Sequence, residues 1–312
     1  MQVLPDIDQL AAGLRMVLCI GVFDGLHRGH TRLVDAAVNA ARDRQATAVV
    51  LTFDPHPDEV LRDIVSPRLC DPAEKLARLA DQGVGVTVVQ RFDRTFAAQS
   101  AEEFLDRVAD RRSLAGIVMT PETAFGHDRA GTLAAVRALS PQHGFDCLEV
   151  AELRVDGERI SSSRLRRELA AGRLGKVRRL LGRDYAVIGE IVRGDRRGRE
   201  LGFPTANLHF ARPVALPADG IYAVRTGWGD SNTLSPTRRA DGVASLGVRP
   251  TFGRGERTLE VHLFDVNEDL YGERLRVEFV RRQRGERKFE SVAALVEQME
   301  RDAARARRIV SG

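Results

Sequence analysis

Cysteine, tryptophan and long apolar runs are scarce in this chain. Its 312 residues include only 3 Cys, 1 Trp and 3 Tyr. Cys19, Cys70 and Cys147 lack metal-ligand spacing, and an odd count is no disulfide framework, so a reducing compartment is expected. No apolar stretch approaches the length that spans a bilayer. The opening MQVLPDIDQL carries acids where a secretory signal carries Lys or Arg, so the expectation is a soluble, cytoplasmic protein. A GxxxxGK[ST] run is missing, which excludes a Walker-type phosphate loop. Charge of one sign is modest too. The formal net charge of +4 and pI near 9.3 suit a polyphosphate ligand at least as well as nucleic acid. RNA binders interleave stacking aromatics with basic residues, and the arginine-rich stretch 164–199 offers only Tyr185.

What is present divides into two textures, and the length suits two domains. Up to about residue 180, short apolar or β-branched runs at Val17–Val22, Thr47–Phe53, Val86–Gln90, Gly116–Met119 and Phe145–Val150 alternate with helical segments. Asp71-Pro72 reads as a helix start, and Ser100 with Glu103 as a capping box. This pattern predicts a doubly wound, Rossmann-like α/β domain over residues 1–181, with ligands beyond the carboxyl ends of its strands. Residues 163–181 read as an arginine-rich helical stretch broken at Gly172, with Arg167, Arg178 and Arg179 on solvated faces. Residues 182–312 read as a small antiparallel β-barrel with a terminal helix. Its strands are expected at Tyr185–Val192, Ile221–Thr226, Val243–Leu246, Leu259–Phe264 and Leu275–Val280, and the helix at Val292–Ile309.

The run GVFDGLHRGH, residues 21–30, sits between the first of these strands and an amphipathic helix whose apolar face is Leu33, Ala36, Ala37, Ala40 and Ala41. His27 and His30 are three apart with Gly29 between them, so a helix opening here gathers both imidazoles on one side of its first turn. Free backbone N–H groups and the helix dipole favour an anion there, and a triphosphate fits. A second anion site is expected at ISSSRLR, residues 160–166, where Ser161, Ser162, Ser163 and Arg164 stand at a helix start and exceed the needs of one cap by Ser162 or Ser163.

In GEIVRGDRRGRELGFPTANL, residues 189–208, Gly194, Gly198 and Gly202 let a turn approach a polyphosphate closely, and Arg196, Arg197 and Arg199 raise local anion affinity. After Pro204, Thr205 and Asn207 share one side of an extended segment and are hard oxygen donors suited to hydrated Mg²⁺ held with ATP phosphates. Glu260 and His262 share one face of a strand, Val261 and Leu263 the other.

These segments resemble two families. The HxGH order is similar to that of the nucleotidylyltransferases, and GVFDGLHRGH in full resembles their flavin adenylyltransferase branch; ISSSR and Thr52–Pro57 resemble that branch as well. Residues 189–208, GVASLGVRPTF at 242–252, TLEVHLFD at 258–265, DLYG at 269–272 and RGERKFES at 284–291 resemble riboflavin kinases. Together they resemble the bifunctional bacterial riboflavin kinase/FAD synthetase family. The resemblance implies that riboflavin and ATP yield FMN in the second half, and FMN and ATP yield FAD and pyrophosphate in the first. It implies Glu260 as general base and His27 and His30 as groups that stabilise phosphate charge. Gly21, Phe23, Asp24, Gly29 and the Ser161–Arg164 run would bind the adenylyltransferase nucleotide, and Asp54, Pro55 and Phe125 the flavin. Gly194, Gly198, Gly202, Pro204, Thr205 and Asn207 would bind the kinase nucleotide, the last two with the metal. One segment departs. Residues 120–126 read TPETAFG where the family has GxDFxFG or GENFxFG, keeping only Phe125 and Gly126. That leaves two alternatives open: a kinase with an inactive or redirected first domain, and a non-catalytic flavin- or RNA-binding regulator.

Overall fold

The structure, a computed structural model, describes residues 1–110, 112–194, 197–229, 235–248 and 257–311, without the Arg197 side chain. By spatial contact the chain forms two units, Met1–Ser66 with Lys75–Ser161 and Pro67–Glu74 with Ser162–Gly312.

In the first unit the strands are β1 (Gln2–Leu4), β2 (Arg15–Ile20), β3 (Thr47–Asp54), β4 (Val86–Arg91), β5 (Ser113–Met119), the short pair β6 (Ala124–Phe125) and β7 (Gly131–Thr132), β8 (Asp146–Glu149), and a hairpin of β9 (Arg154–Val155) and β10 (Glu158–Arg159). Six of them make one parallel sheet in the order β1-β4-β3-β2-β5-β8. The helices are α1 (Arg28–Asp43), α2 (Pro57–Leu61), α3 (Pro72–Asp81), which crosses from one unit to the other, α4 (Arg94–Ala98), α5 (Ala101–Ala109) and α6 (Leu133–His143).

Strand β2 shows why this sheet reads as continuous apolar sequence. Met16, Leu18 and Ile20 point into a cluster with Phe104, Leu105 and Val108 of α5 and Val136 of α6. Val17 and Cys19 point the other way, onto Leu33, Val34 and Ala37 of α1. A strand covered on both faces has no polar side to alternate with. The expected caps form: Asp71 accepts from Ala73 N at 2.9 Å, and Ser100 and Glu103 make both bonds of a capping box.

The second unit begins with α7 (Ser162–Ala170) and α8 (Leu174–Leu181). Gly172 (φ 68°) separates them and Gly182 (φ 75°) closes α8 in the left-handed conformation. Arg167, Arg178 and Arg179 are exposed, as a solvated face requires. Then come β11 (Tyr185–Val192), α9 (Arg197–Glu200), β12 (Ala206–His209), β13 (Gly220–Trp228), β14 (Arg238–Val248), β15 (Arg257–Leu263), β16 (Arg274–Arg284) and α10 (Val292–Val310). The strands close into an antiparallel barrel, β11-β12-β15-β14-β13-β16. Helix α10 packs Ala306 and Val310 on Ala223 and Phe264, and Oδ2 of buried Asp302 accepts from Nη2 and Nε of Arg284 at 2.7 and 2.9 Å. Residues 67–74 join this unit. Arg68 exchanges backbone hydrogen bonds with Pro213 and Ala215, Arg274 reaches Asp71 at 2.7 Å, and Arg276 lies between buried Glu74 and Glu278.

Candidate functional site

Beyond the carboxyl end of β2 the chain turns sharply, with Phe23, Gly25 and Leu26 at φ 53°, 82° and 37°. Two non-glycine residues in that region mark a turn held by its surroundings, and both are buried. Helix α1 opens at Arg28, two residues before His30, and His27 is its N-cap: Nδ1 of His27 accepts from the His30 backbone N–H at 3.2 Å. An accepting Nδ1 places the proton of a neutral His27 on Nε2. The rings of His27 and His30 stack with centroids 3.6 Å apart, and Phe23 meets His30 edge-on at 5.3 Å. Gly29 admits this stack, because a Cβ there would sit 3.2 Å from the His27 ring, and one on Gly21 would sit 3.1 Å from the Phe23 ring. Asp24 is half-buried in the same turn.

His30 is strongly perturbed by its surroundings. Its Nδ1 is buried and makes no hydrogen bond among the described residues. Burial first, then the electrostatic influence of neighbouring His27 and Lys75, holds its imidazole well below the usual value of 6.5. Lys75 carries no motif, and Thr52 opens the Thr52–Pro57 segment already noted. The Lys75 ammonium donates to Thr52 Oγ1 at 3.1 Å and Val22 O at 3.4 Å, and buried Thr52 itself donates to Val22 O at 2.9 Å.

On the expected flavin side, Asp54 ends β3 and joins Pro55 through a cis peptide bond. Phe125 is half-buried, its ring against Phe104 at 5.2 Å, and ring contacts continue through Phe96 to Phe53, so the loops after β3 and β5 share one aromatic cluster. In the departing segment, Thr123 Oγ1 accepts from Thr120 N at 3.0 Å and the two hydroxyls lie 2.9 Å apart, closing the loop on itself. Helix α7 starts at Ser162, so Ser162 and Ser163 occupy its first turn rather than capping it, Ser161 precedes it, and Arg164 is buried.

In the second unit the expected kinase residues converge. The β12–β15 ladder sets Asn207 directly opposite Glu260. Thr205, just ahead of β12, lies within hydrogen-bond reach of the carboxylate, its Oγ1 donating to Glu260 Oε2 at 3.3 Å. Leu259, Val261 and Leu263 fill the barrel, leaving Glu260 and His262 half-buried on the other face. Gly194 lies against Asn207, where a Cβ would fall 2.4 Å from its Nδ2, and a Cβ on Gly198 would fall 2.4 Å from Phe203 O and 3.4 Å from Thr205 Oγ1. Gly202 takes φ 82° in the turn between them. Ser245 of β14, part of the GVASLGVRPTF segment but not singled out there, faces Glu260 from the other neighbouring strand. Arg199 is exposed; Arg196, the Arg197 side chain and residues 249–252 lie outside the described residues. No three His, Cys, Asp or Glu gather as a metal cage among the described residues. The Thr205–Asn207 pair offers neutral hard oxygens, a donor set that fits Mg²⁺ arriving with nucleotide phosphates.

A parallel α/β unit with a histidine-capped helix beyond a central strand, and a closed barrel whose carboxylate faces a Thr/Asn pair, define the class: a two-part nucleotide-handling transferase. Comparison with known proteins narrows it. The FAD synthetase family model matches residues 11–164 and the riboflavin kinase family model residues 181–310. The bifunctional riboflavin kinase/FMN adenylyltransferase of Escherichia coli (strain K12) is 37% identical over 294 residues, covering 93% of this chain and 91% of that one. The protein of the same description from Bacillus subtilis (strain 168) is 34% identical over 303 residues, covering 95% and 93%. A solved chain described as a macrolide-efflux protein from Streptococcus pneumoniae superposes with a TM-score of 0.84 at 30% identity, covering 96% of both chains. Among the described residues of the present chain no helix is long and apolar enough to cross a membrane. The chain belongs to the bifunctional riboflavin kinase/FMN adenylyltransferase family.

Proposed function

We propose a residue-level account of the two transferase reactions of this family, riboflavin and ATP to FMN and ADP, then FMN and ATP to FAD and pyrophosphate. The observation that carries it is the meeting of Glu260, Thr205 and Asn207 on one barrel face. Glu260 acts as general base, accepting the proton of the riboflavin 5′-hydroxyl as that oxygen attacks the γ-phosphorus and ADP leaves. Gly194, Gly198, Gly202 and Pro204 shape the turn around the nucleotide. Thr205 and Asn207 would hold Mg²⁺, which when bound offsets charge on the transferred phosphoryl group.

In the first half, the FMN phosphate attacks the α-phosphorus of ATP and pyrophosphate leaves. His27 Nε2–H and the start of α1 stabilise charge on those phosphates, with His30 a neutral partner stacked beneath, and no covalent enzyme intermediate is needed. Gly21, Phe23, Asp24 and Gly29 form that turn, Ser161, Ser162, Ser163 and Arg164 hold phosphate oxygens, and Asp54, Pro55 and Phe125 border the flavin. The functional boundary lies near Gly182, giving 1–181 and 182–312. The start of the riboflavin kinase match at residue 181 supports it. On this reading the enzyme works in the cytoplasm on small molecules, without nucleic acid.

Glu260→Gln is expected to lower kcat for FMN formation by roughly a hundredfold or more while leaving FAD formation from supplied FMN intact. His30→Ala should do the reverse. Equal loss of both activities in either variant would sink the two-site account, and parent protein that makes FMN but no FAD would favour a redirected first half, as the Thr120–Ala124 departure allows.

A further inference from the structure

The half-buried face of β15 carries Thr258, Glu260 and His262, and of these only Glu260 has been given work. Nδ1 of His262 lies 2.8 Å from the carbonyl oxygen of Pro204. A carbonyl oxygen only accepts, so Nδ1 must carry a proton whether the ring is neutral or charged. The ring is fixed edgewise between Phe203 at 5.2 Å and Phe264 at 5.8 Å, so the donor is aimed rather than free to turn. The carbonyl it grips belongs to the peptide unit that leads into Thr205. The β12–β15 ladder pairs Ala206, Asn207 and Leu208 with Val261, Glu260 and Leu259, so Thr205 lies just beyond its end. Thr205 is thus tied to β15 twice, by its own hydroxyl to Glu260 and by the preceding carbonyl to His262.

We propose that His262 is a positioning residue of the kinase reaction: its Nδ1–H clamps the Pro204–Thr205 peptide so that the Thr205 hydroxyl and Asn207 present their oxygens to the metal–nucleotide complex. The proposal rests on the reading of Thr205 and Asn207 as metal- and phosphate-holding residues. The geometry makes it selective among substitutions. The amide nitrogen of Asn takes the place of Nδ1, whereas that of Gln takes the place of Nε2, so Asn can restore the clamp and Gln cannot.

The test uses the full chain and three variants, His262→Asn, His262→Gln and His262→Ala. Two quantities are read: the Mg²⁺ concentration that half-saturates calorimetric ADP binding, and the Mg²⁺ concentration for half-maximal FMN formation. Loss of one hydrogen bond predicts a rise of roughly fivefold in both for Gln and Ala, with Asn close to the parent. Ring ¹⁵N shifts of His262 in the ligand-free protein should show Nδ1 protonated. Three variants that all match the parent, an Asn variant that falls as far as Ala, or an unprotonated Nδ1 would each overturn the proposal. If the parent's ADP binding and FMN formation are indifferent to Mg²⁺, the reading of Thr205 and Asn207 fails first and takes the clamp with it.

Discussion

At the scale of single residues, the histidine pair has a structural task beside the chemical one proposed for it. His27 spends Nδ1 on capping α1, which orients its ring and leaves Nε2 as the donor. His30 lies beneath it with a buried Nδ1 and a depressed pKa, caused mainly by burial and then by the electrostatic influence of neighbouring His27 and Lys75. The sign follows from proton linkage. Above pH 6.5 the ring is neutral in folded and unfolded chains alike; below it the unfolded chain takes up a proton that the folded one resists, so acid destabilises the fold through this residue. The denaturant midpoint of the first unit should therefore drop between pH 7.5 and 5.5, and the drop should shrink in His30→Gln. A drop of equal size in that variant would remove His30 as the cause.

At the scale of elements, glycines decide whether the kinase turn can close. Gly194→Ala adds a methyl 2.4 Å from the Asn207 amide, so the Asn207 side chain must shift from its present position. Kinase kcat/KM should fall by roughly tenfold or more, since small misplacements at a reacting centre are costly. Thermal stability should change little, because restriction of the unfolded chain is offset by the close contact that the new Cβ makes with the Asn207 side chain. Intact kinase activity would contradict the assigned role of this turn.

Much at this scale was legible beforehand. The strands around β2, the barrel strand Tyr185–Val192 and the break at Gly172 follow from local periodicity and local turn chemistry. Strand β1 was not seen because three residues carry no period, nor β12 because Pro204 and a polar ANLH run disguise it. Helix α1 starts ahead of His30 because the cap is a histidine, an unusual choice. Lys75, Ser245 and the docking of residues 67–74 onto the barrel depend on what lies opposite them in space, which no spacing rule encodes.

At the scale of the whole molecule, the chain carries two sites with different chemistry. On the proposed reading, one is a helix start with stacked imidazoles that holds a triphosphate. The other is a carboxylate across a β-ladder from two neutral oxygen donors. Each set of expected residues at the barrel lies within one unit, so the kinase can be disabled without touching the histidine turn. The measurement that tests this most directly is a timed separation of products from the full chain with Mg²⁺, ATP and riboflavin, repeated starting from FMN. The account predicts FMN first, FAD following it, and FAD without delay when FMN is supplied. FMN that never becomes FAD, or FAD formation only when riboflavin phosphorylation is also running, would contradict two independent sites.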